Sequence, residues 1–162
     1  STGFLKNSDI EMNPKGYIKV NELMETNIEG VYAVGDNRVK YLRQVVTAAG
    51  DGATAAVAAE RYIEELNSFK ENVLESEQKV LLLFFNAQNN ESLEFQTLLE
   101  EANKDCGEKY KIVKVDLATK KKLAQKYAVD QAPAVIMLDK GEVIKQLECV
   151  PDKEKVKLQL VG

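Results

Sequence analysis

The chain has 162 residues, enough for one ordinary domain or two small ones. Hydrophobic residues make up 44% and charged residues 30%, and the net charge is -4, which is typical of a soluble globular protein. No apolar run approaches the roughly 18 residues of a membrane span. Histidine is absent, which excludes Ser/His and Cys/His nucleophile pairs and the usual zinc sites, so we predict no metal.

The start of the chain and its two cysteines predict where in the cell the protein is located. Ser1-Thr2-Gly3-Phe4 has neither the basic nor the apolar region of a signal peptide, and without an initiator Met we expect a longer parent protein. Cys106 and Cys149 form no CxxC and are far apart in sequence. A disulfide scaffold is therefore not expected, and a cytoplasmic location is predicted.

Two short strands are predicted near the start. Residues 16–20 alternate in character, and residues 31–34 are apolar on both faces, as in strands buried within parallel sheets. The second strand ends in Gly35-Asp36. A carboxylate just past the carboxyl end of such a strand lies where α/β sheets bind ligands.

A long helix is predicted from about residue 42 to residue 66. It contains Gly50 and Gly52, each of which costs about 1 kcal/mol relative to Ala, so we expect close approach to another backbone or a cofactor. Alternatively, Gly50 separates two shorter helices. Residues 50–55 imitate a GxGxxA dinucleotide motif, but that motif requires a strand directly before it, and the preceding residues have a helical pattern.

The segment 26–36 (TNIEGVYAVGD), followed by 42–52 (LRQVVTAAGDG), closely resembles the C-terminal segment of bacterial thioredoxin reductases. The resemblance covers most of residues 1–66. It implies a partial FAD-binding, Rossmann-like segment. The family's GxGxxG, nicotinamide domain and CxxC are not found, so we expect unpaired strand edges and weak or absent FAD binding by this chain.

The same resemblance implies a flavin-binding role for five residues: Gly35, Asp36, Arg43, Gln44 and Val45. Asp36 would accept hydrogen bonds from the ribityl hydroxyls. The last three would lie against the isoalloxazine ring at a helix N-terminus, whose free N–H groups and partial positive charge stabilise reduced flavin. Without the resemblance, Arg43 would be interpreted as part of a surface ion pair.

Residues 67–78 are polar and predicted to be a linker, either a tether or a short helix. Val73 and Leu74 could dock onto either side. The basic cluster Lys120-Lys121-Lys122 has no aromatic residues interleaved with it, so we interpret it as a solvated helix start and predict no nucleic-acid partner.

Residues 79–162 are predicted to form a second domain. Strands are predicted over 79–85, 111–116, 134–138 and 142–149, and helices over 90–104 and 119–127, the latter capped by Thr119, with a final helix to follow. This order resembles the thioredoxin fold, an α/β fold with a central mixed sheet. The segments 114–116, 123–129, 132–134 and 140–143 match that family's pattern.

The catalytic positions depart from the thioredoxin pattern. When the chain is aligned with the thioredoxin pattern, Asn89 to Ser92 occupy the positions of the CxxC motif. Gln88 occupies the position of the Trp before the first cysteine, and Leu83 occupies that of the buried carboxylate. Thiol–disulfide exchange requires an attacking thiolate and a second thiol, so we predict a redox-inactive domain.

Pro133 matches the family's cis proline, which shapes the groove where substrate backbone pairs. The alternative is an ordinary proline at the entry to a strand. Cys106 and Cys149 are not expected to reach that groove, and each is interpreted as a half-buried structural cysteine.

The resemblances lead to three hypotheses. In the first, the chain is the C-terminal portion of a homodimeric flavoprotein that passes electrons from NADPH to FAD to a disulfide, with thioredoxin or another disulfide protein as partner. In the second, the thioredoxin-like domain is a non-catalytic module that binds extended peptide through main-chain pairing. In the third, the domain only stabilises the reductase. We favour the first for the parent and the second for the isolated domain, and expect no membrane partner.

Overall fold

The structure is a computed structural model that describes residues 2–5 and 7–161. The chain divides into two compact units, Ser1–Asn67 and Ser68–Gly162. Helix α1 (Val45–Phe69) belongs mainly to the first unit, and its end and the π-helical turn Lys70–Leu74 belong to the second. Within the described ranges, none of the helices combines the length and apolarity that crossing a bilayer requires.

The first unit lacks the two predicted strands. Isolated bridges take their place and pair Met12 with Ile18, Ile18 with Arg38, and Glu25 with Tyr32. Val31 is 37% exposed and Val34 is 38% exposed, although Ala33 between them is buried, so the prediction of burial on both faces is wrong. A strand becomes buried on both faces only between neighbouring strands and covering layers, and the described part of this unit provides single bridges.

Helix α1 begins at Val45, three residues later than predicted, and runs without interruption through Gly50 and Gly52. The alternative of two shorter helices is therefore wrong. Beyond the adjacent backbone of the helix itself, a Cβ atom placed on either glycine would meet nothing within 4 Å, so the expected close approach is not found among the described residues. The segment that imitates GxGxxA lies inside the helix, which agrees with its rejection as a dinucleotide motif.

The second unit alternates strands and helices in the predicted order. The elements are β1 (Val80–Phe85), α2 (Asn90–Asp105), β2 (Lys111–Asp116), α3 (Lys121–Lys126), β3 (Ala134–Asp139), β4 (Glu142–Leu147) and α4 (Lys153–Val161). The sheet order is β2-β1-β3-β4, with β1 and β2 parallel and the other pairs antiparallel. The predicted central mixed sheet is confirmed.

Strand β1 separates two apolar cores because its side chains alternate between the faces of the sheet. Leu82 and Phe84 pack on the face that α3 and the π-helical turn cover, whereas Leu81 and Leu83 pack on the face that α2 and α4 cover. Val73 is fully buried in the first of these cores. Val73 and Leu74 of the predicted linker therefore dock onto the second unit, with Leu74 partly buried there.

Helix α3 begins at Lys121, and Thr119 does not cap it as predicted. The Thr119 hydroxyl donates to the Asp116 carbonyl over 3.3 Å, and the Asp116 Oδ1 atom accepts the Ala118 N–H over 2.9 Å. Asp116 thus stabilises a turn that contains the first residues of the predicted helix, so the helix begins later than predicted.

Candidate functional site

The Gly35–Asn37 turn presents the candidate flavin residues of the first unit. Gly35 is buried and has a φ of +76°, a left-handed conformation that favours glycine. The Asp36 side chain is exposed, so its carboxylate is free to accept hydrogen bonds from a ligand. The Asp36 carbonyl oxygen accepts a hydrogen bond from Arg43 Nε at 3.5 Å, which links the turn to the start of α1.

A buried carboxylate on α1 holds this turn in place. Asp51 Oδ2 accepts the Gly35 N–H at 2.9 Å, Arg38 Nε at 2.7 Å and Lys40 Nζ at 2.9 Å, while its Oδ1 atom accepts a second bond from the Arg38 guanidinium. The hydrogen bonds from Arg38 outweigh desolvation and hold the pKa of Asp51 well below its usual range. Sequence reasoning missed this cluster, although Asp51 is the single carboxylate in the alanine-rich stretch 48–59 of α1.

The other candidate flavin residues lie together at the start of α1. The Arg43 guanidinium lies 4.1 Å above the centre of the Tyr17 ring, a cation–π contact, so the alternative of a surface ion pair is wrong for this side chain. The Gln44 N–H donates to Thr47 Oγ1 at 3.3 Å, and Val45 begins the helix with its side chain 88% exposed. The helix start is thus open to solvent on this chain, and contact with a flavin stays a prediction.

In the second unit, the positions that match a CxxC lie at the start of α2. Asn89 is the N-cap residue, and its Oδ1 atom accepts the Ser92 N–H at 3.2 Å. Ser92 is fully buried, and its Oγ atom accepts the Asn86 N–H at 2.9 Å. Gln88 is exposed, and Leu83 is fully buried in the apolar core shared with α2 and α4. Amide and hydroxyl groups therefore stabilise this turn where exchange chemistry would require thiols.

The segment before β3 has free main-chain donors. The Ala132–Pro133 peptide bond is cis, as the resemblance implies, and Pro133 lies directly before the strand. In the described part of the chain, the backbone N–H groups of Asp130, Gln131 and Ala132 have no hydrogen-bond partner. Backbone donors that lack partners in a folded chain are available to water or to an added strand.

Comparison with known proteins matches the second unit and the end of α1 to one family. Residues 61–161 match the family model described as Thioredoxin. The chain belongs to the thioredoxin family. A solved structure described as ERdj5 form II supports this fold for the thioredoxin-family unit, with a TM-score of 0.51 at 20% identity over 59% of this chain and 14% of that chain.

The first part of the chain has different relatives. Residues 1–52 match the family model described as Pyridine nucleotide-disulphide oxidoreductase. The thioredoxin reductase of Peptoclostridium litorale is 63% identical over 57 residues, 35% of this chain and 18% of that protein. The thioredoxin reductase of Bacillus subtilis is 56% identical over 54 residues, 33% of this chain and 17% of that protein. The chain thus spans about a fifth of the length of these relatives, and both parts of it are similar to proteins of the oxidoreductase kind.

The cysteines of the thioredoxin-family unit lie outside the α2 turn. Cys106 is the C-cap residue that follows α2 and is half-buried against the core under α4. Cys149 follows β4, which runs antiparallel beside β3 and brings the thiol near the backbone of Val135, and Cys149 Sγ donates to the Leu147 carbonyl oxygen over 4.0 Å. Burial raises the pKa of the Cys149 thiol to about 11. The thiol therefore stays protonated near neutral pH and is a poor nucleophile.

We expect Cys149 in the folded chain to be alkylated by iodoacetamide at least about 100-fold more slowly at pH 7.5 than an ordinary cysteine, whose pKa is near 8.5. Because only the thiolate reacts, the rate should rise about tenfold per pH unit until the pH approaches 11. Mass spectrometry of the peptide containing Cys149 measures the rate, and the chain in urea is the control. Labelling of the folded chain at the rate seen in urea would contradict the burial of this thiol.

Proposed function

We propose that this chain is the C-terminal portion of a thioredoxin-reductase-like flavoprotein and that its thioredoxin-family unit is redox-inactive and binds a disulfide-containing protein partner. The similarity of residues 1–52 to pyridine nucleotide-disulphide oxidoreductases supports the first half of this proposal. In the parent, a homodimer in this proposal, electrons pass from NADPH through FAD to a disulfide outside this chain.

The residues of the first unit fit one end of a flavin site. The exposed Asp36 carboxylate offers acceptors for hydroxyl groups, and the first turn of α1 offers N–H donors beside Arg43 and Gln44. Bound FAD would supply two-electron transfer between NADPH and a disulfide. In this proposal Gly35 and Asp36 orient the ribityl chain, and Val45 covers the ring with apolar surface. The chain offers no strand–GxGxxG–helix for the pyrophosphate, so we propose that FAD binds it weakly or not at all.

The observation that supports the proposed redox inactivity of the thioredoxin-family unit is the hydrogen bonding of Asn89 and Ser92. Attack on a disulfide needs a thiolate at the start of α2, and release of the product needs a second thiol within reach. Both positions are filled by groups that bond within the turn. The protonated Cys149 does not replace either of them.

The alternative proposal, a non-catalytic peptide-binding module, is favoured by the free donors before Pro133. An extended peptide beside residues 130–132 would pair with those N–H groups, in the manner of a strand added to a sheet edge. Binding of this kind needs no thiol, so it is compatible with the altered α2 turn.

We expect the purified chain to show no flavin absorbance, to reduce insulin no faster than the dithiothreitol background, and yet to retain extended peptides in a pull-down. The reasons are the missing pyrophosphate site, the missing thiols and the free donors at residues 130–132.

Each outcome tests a separate part of the proposal. Stoichiometric FAD on the purified chain would refute the weak flavin site. Insulin reduction above background would refute redox inactivity, and failure to retain any peptide would refute the binding module.

A further inference from the structure

Strand β2 is an edge of the sheet in the thioredoxin-family unit, and in the described part of the chain it pairs with β1 alone. The N–H groups of Lys111 and Leu117, at its two ends, donate to the carbonyl oxygens of residues 79 and 85 at 2.9 Å and 2.8 Å. In a parallel pair, alternate residues bond to the neighbouring strand, so the odd-numbered residues of β2 face β1. The residues whose main-chain groups face away from the sheet are therefore Ile112, Lys114 and Asp116.

The unpaired part of this edge consists of the main-chain groups of Ile112 and Lys114, which we call the β2 edge. Among the described residues, their N–H and carbonyl groups have no hydrogen-bond partner. On one side, the Asn103 carboxamide bonds to both the N–H and the carbonyl of Tyr110, at 3.2 Å and 2.8 Å. On the other side, the Asp116 carbonyl accepts two N–H groups of the following turn. The β2 edge is thus a short row of free donors and acceptors between two satisfied ends.

The two lysines of β2 do not shield this edge. Lys111 Nζ donates to Asn72 Oδ1 at 2.6 Å on the face that the π-helical turn covers, and Lys114 Nζ lies 2.7 Å from Glu100 Oε1 on the face that α2 covers. Natural sheets protect their edges with free lysines, prolines or bulges.

The two edges of the sheet differ in the third of these devices. The pairing of β3 with β4 has a register shift between Met137 and Leu138, whereas β1 and β2 pair over six residues without a shift. A regular edge strand with free main-chain groups is a template for another strand. The β2 edge is therefore the edge of this sheet that is better suited to receive one.

We propose that a second copy of this chain adds its own β2 to the β2 edge, antiparallel and with Ile112 of one copy opposite Lys114 of the other. In this register each N–H and carbonyl group of the two residues bonds to the second copy, so the free groups of both copies are satisfied together. Val113 faces Val113 of the second copy across the twofold axis. The pairing involves only the thioredoxin-family unit and does not depend on the proposed flavin site, redox inactivity or peptide binding.

The side chains favour this register over its neighbour. Ile112 and Val113 are half-buried, and an added strand would cover apolar surface that the sheet leaves exposed. Shifting the pairing by two residues would place Lys114 opposite Lys114 of the second copy, which is unfavourable for like charges. The shift would also require the Asp116 carbonyl, which the following turn already uses. In the proposed register Lys114 lies opposite an isoleucine, and its ammonium group stays paired with Glu100.

Amide exchange of the full chain, followed by NMR, tests the pairing at the bonds themselves. The contact is short, so we expect a Kd of about 0.1–1 mM, in the range of weak and transient complexes. Exchange at Ile112 and Lys114 should be fast in dilute protein and about two- to sevenfold slower at about 2 mM, because only the monomer exposes these amides. The Val113 amide, which faces β1, should not change with concentration.

The blocking variant is Lys114→Pro, which removes an N–H that the sheet does not use, as prolines on edge strands do. The matched control is Lys114→Ala, which loses the same ion pair with Glu100 but keeps the N–H. In analytical ultracentrifugation at about 2 mM, above the expected Kd, the unmodified chain and the alanine variant should contain dimer. The proline variant should associate at least about tenfold more weakly, since each of its two lost bonds contributes to the pairing.

A disulfide trap gives a measurement that does not rely on the proline variant being folded. Residues opposite each other in a non-hydrogen-bonded antiparallel pair have Cα atoms about 4.5 Å apart, which a disulfide can span. Val113→Cys should therefore form a disulfide-linked dimer in a glutathione buffer, at least about tenfold faster than the control Ile144→Cys, because pairing brings the two thiols together. The control cysteine lies on β4, at the other edge of the sheet, where Ile144 is 46% exposed. Mass spectrometry identifies the linked peptides.

Three results would overturn the pairing. The first is exchange at Ile112 and Lys114 that does not depend on concentration. The second is equal association of the proline and alanine variants, which would place any contact between copies elsewhere on the chain. The third is equal trapping at positions 113 and 144. None of these results would change the expected flavin content, insulin reduction or peptide retention of the chain.

Discussion

Replacing Asp51 with Asn is expected to destabilise the first unit by about 3–5 kcal/mol, the usual effect of removing one member of a buried ion pair. The Asp51 side chain is 7% exposed, that of Lys40 is 6% exposed and that of Arg38 is 17% exposed. Without the carboxylate, two cations remain in an environment that gives them little hydration. The Gly35 N–H also loses a charged acceptor, so the Gly35–Asn37 turn should loosen together with residues 38–40.

Amide hydrogen exchange at Gly35, followed by NMR, measures this effect at the bond itself. The matched control is Asp9→Asn, the same chemical change at an exposed position of the same unit. Protection at Gly35 should fall in the Asp51 variant and stay unchanged in the control. Equal protection in both variants would show that the carboxylate does not hold the turn.

Protonation of the Asp51 carboxylate makes the stability of the first unit depend on pH in the acid range. Its pKa in the folded chain lies below the value of about 3.9 expected when unfolded. The contribution of Asp51 to stability is therefore complete above about pH 4 and is lost as the pH falls below that value. In Asp51→Asn this part of the pH dependence should disappear, because the substituted side chain does not titrate.

Sequence reasoning located the elements of the second unit because their apolar patterns arise from burial within that unit. The strand 111–116 was predicted with the bounds that the structure shows, and β1 was predicted within one residue. The exception was Thr119, where a side-chain bond to Asp116 competes with the helix and leaves no trace in hydrophobic periodicity.

The first unit was predicted less well for a physical reason. The apolar pattern of residues 31–34 indicated burial on both sides, but the described part of this unit supplies no sheet around them. That apolar pattern therefore anticipated contacts that the described part of this chain does not make. Asp51 was missed because its partners, Gly35, Arg38 and Lys40, become neighbours only when the loop folds back onto α1.

Features of the candidate sites that combine residues far apart in the sequence also could not be predicted from the sequence. A cleft lined by Asn86, Leu117, Ala124 and Asp130 among others is assembled from the ends of two strands and one helix, and no single segment carries its pattern. The approach of Cys149 to Val135 follows from the pairing of β3 with β4, which periodicity alone does not fix. By contrast, a family motif fixes the spacing of Asn89 and Ser92, so the sequence alone is enough to single them out as candidates.

The double replacement Asn89→Cys and Ser92→Cys is expected to give the chain a thiol–disulfide exchange activity that, in our proposal, the unmodified chain lacks. Residues three apart at a helix start have Cβ atoms about 5–6 Å apart, within reach of a disulfide after small adjustment. Position 89 is partly exposed and position 92 is fully buried, which suits an attacking and a resolving thiol. The N-terminus of α2 would also lower the pKa of a thiol at position 89.

In the expected reaction, the thiolate at position 89 attacks a substrate disulfide and releases one substrate thiolate. The thiolate at position 92 then attacks the mixed disulfide, releases the second substrate thiolate and leaves a disulfide between 89 and 92, which dithiothreitol reduces. Insulin reduction should rise roughly ten- to a hundredfold above the unmodified chain, because a lowered pKa enlarges the thiolate fraction. Asn89→Cys alone should accumulate mixed disulfide with little turnover.

The matched control is the double variant Glu94→Cys with Thr97→Cys, an exposed pair with the same spacing in the middle of α2. Its rate of insulin reduction should stay near background, because the pair does not lie at the helix N-terminus. Activity of the unmodified chain equal to that of the 89/92 pair would show that another group performs exchange. Equal activity of the two engineered pairs would show that the α2 turn is not a specialised position. Rate enhancement confined to the 89/92 pair would instead mean that this unit retains the scaffold for exchange and lacks only the sulfur atoms.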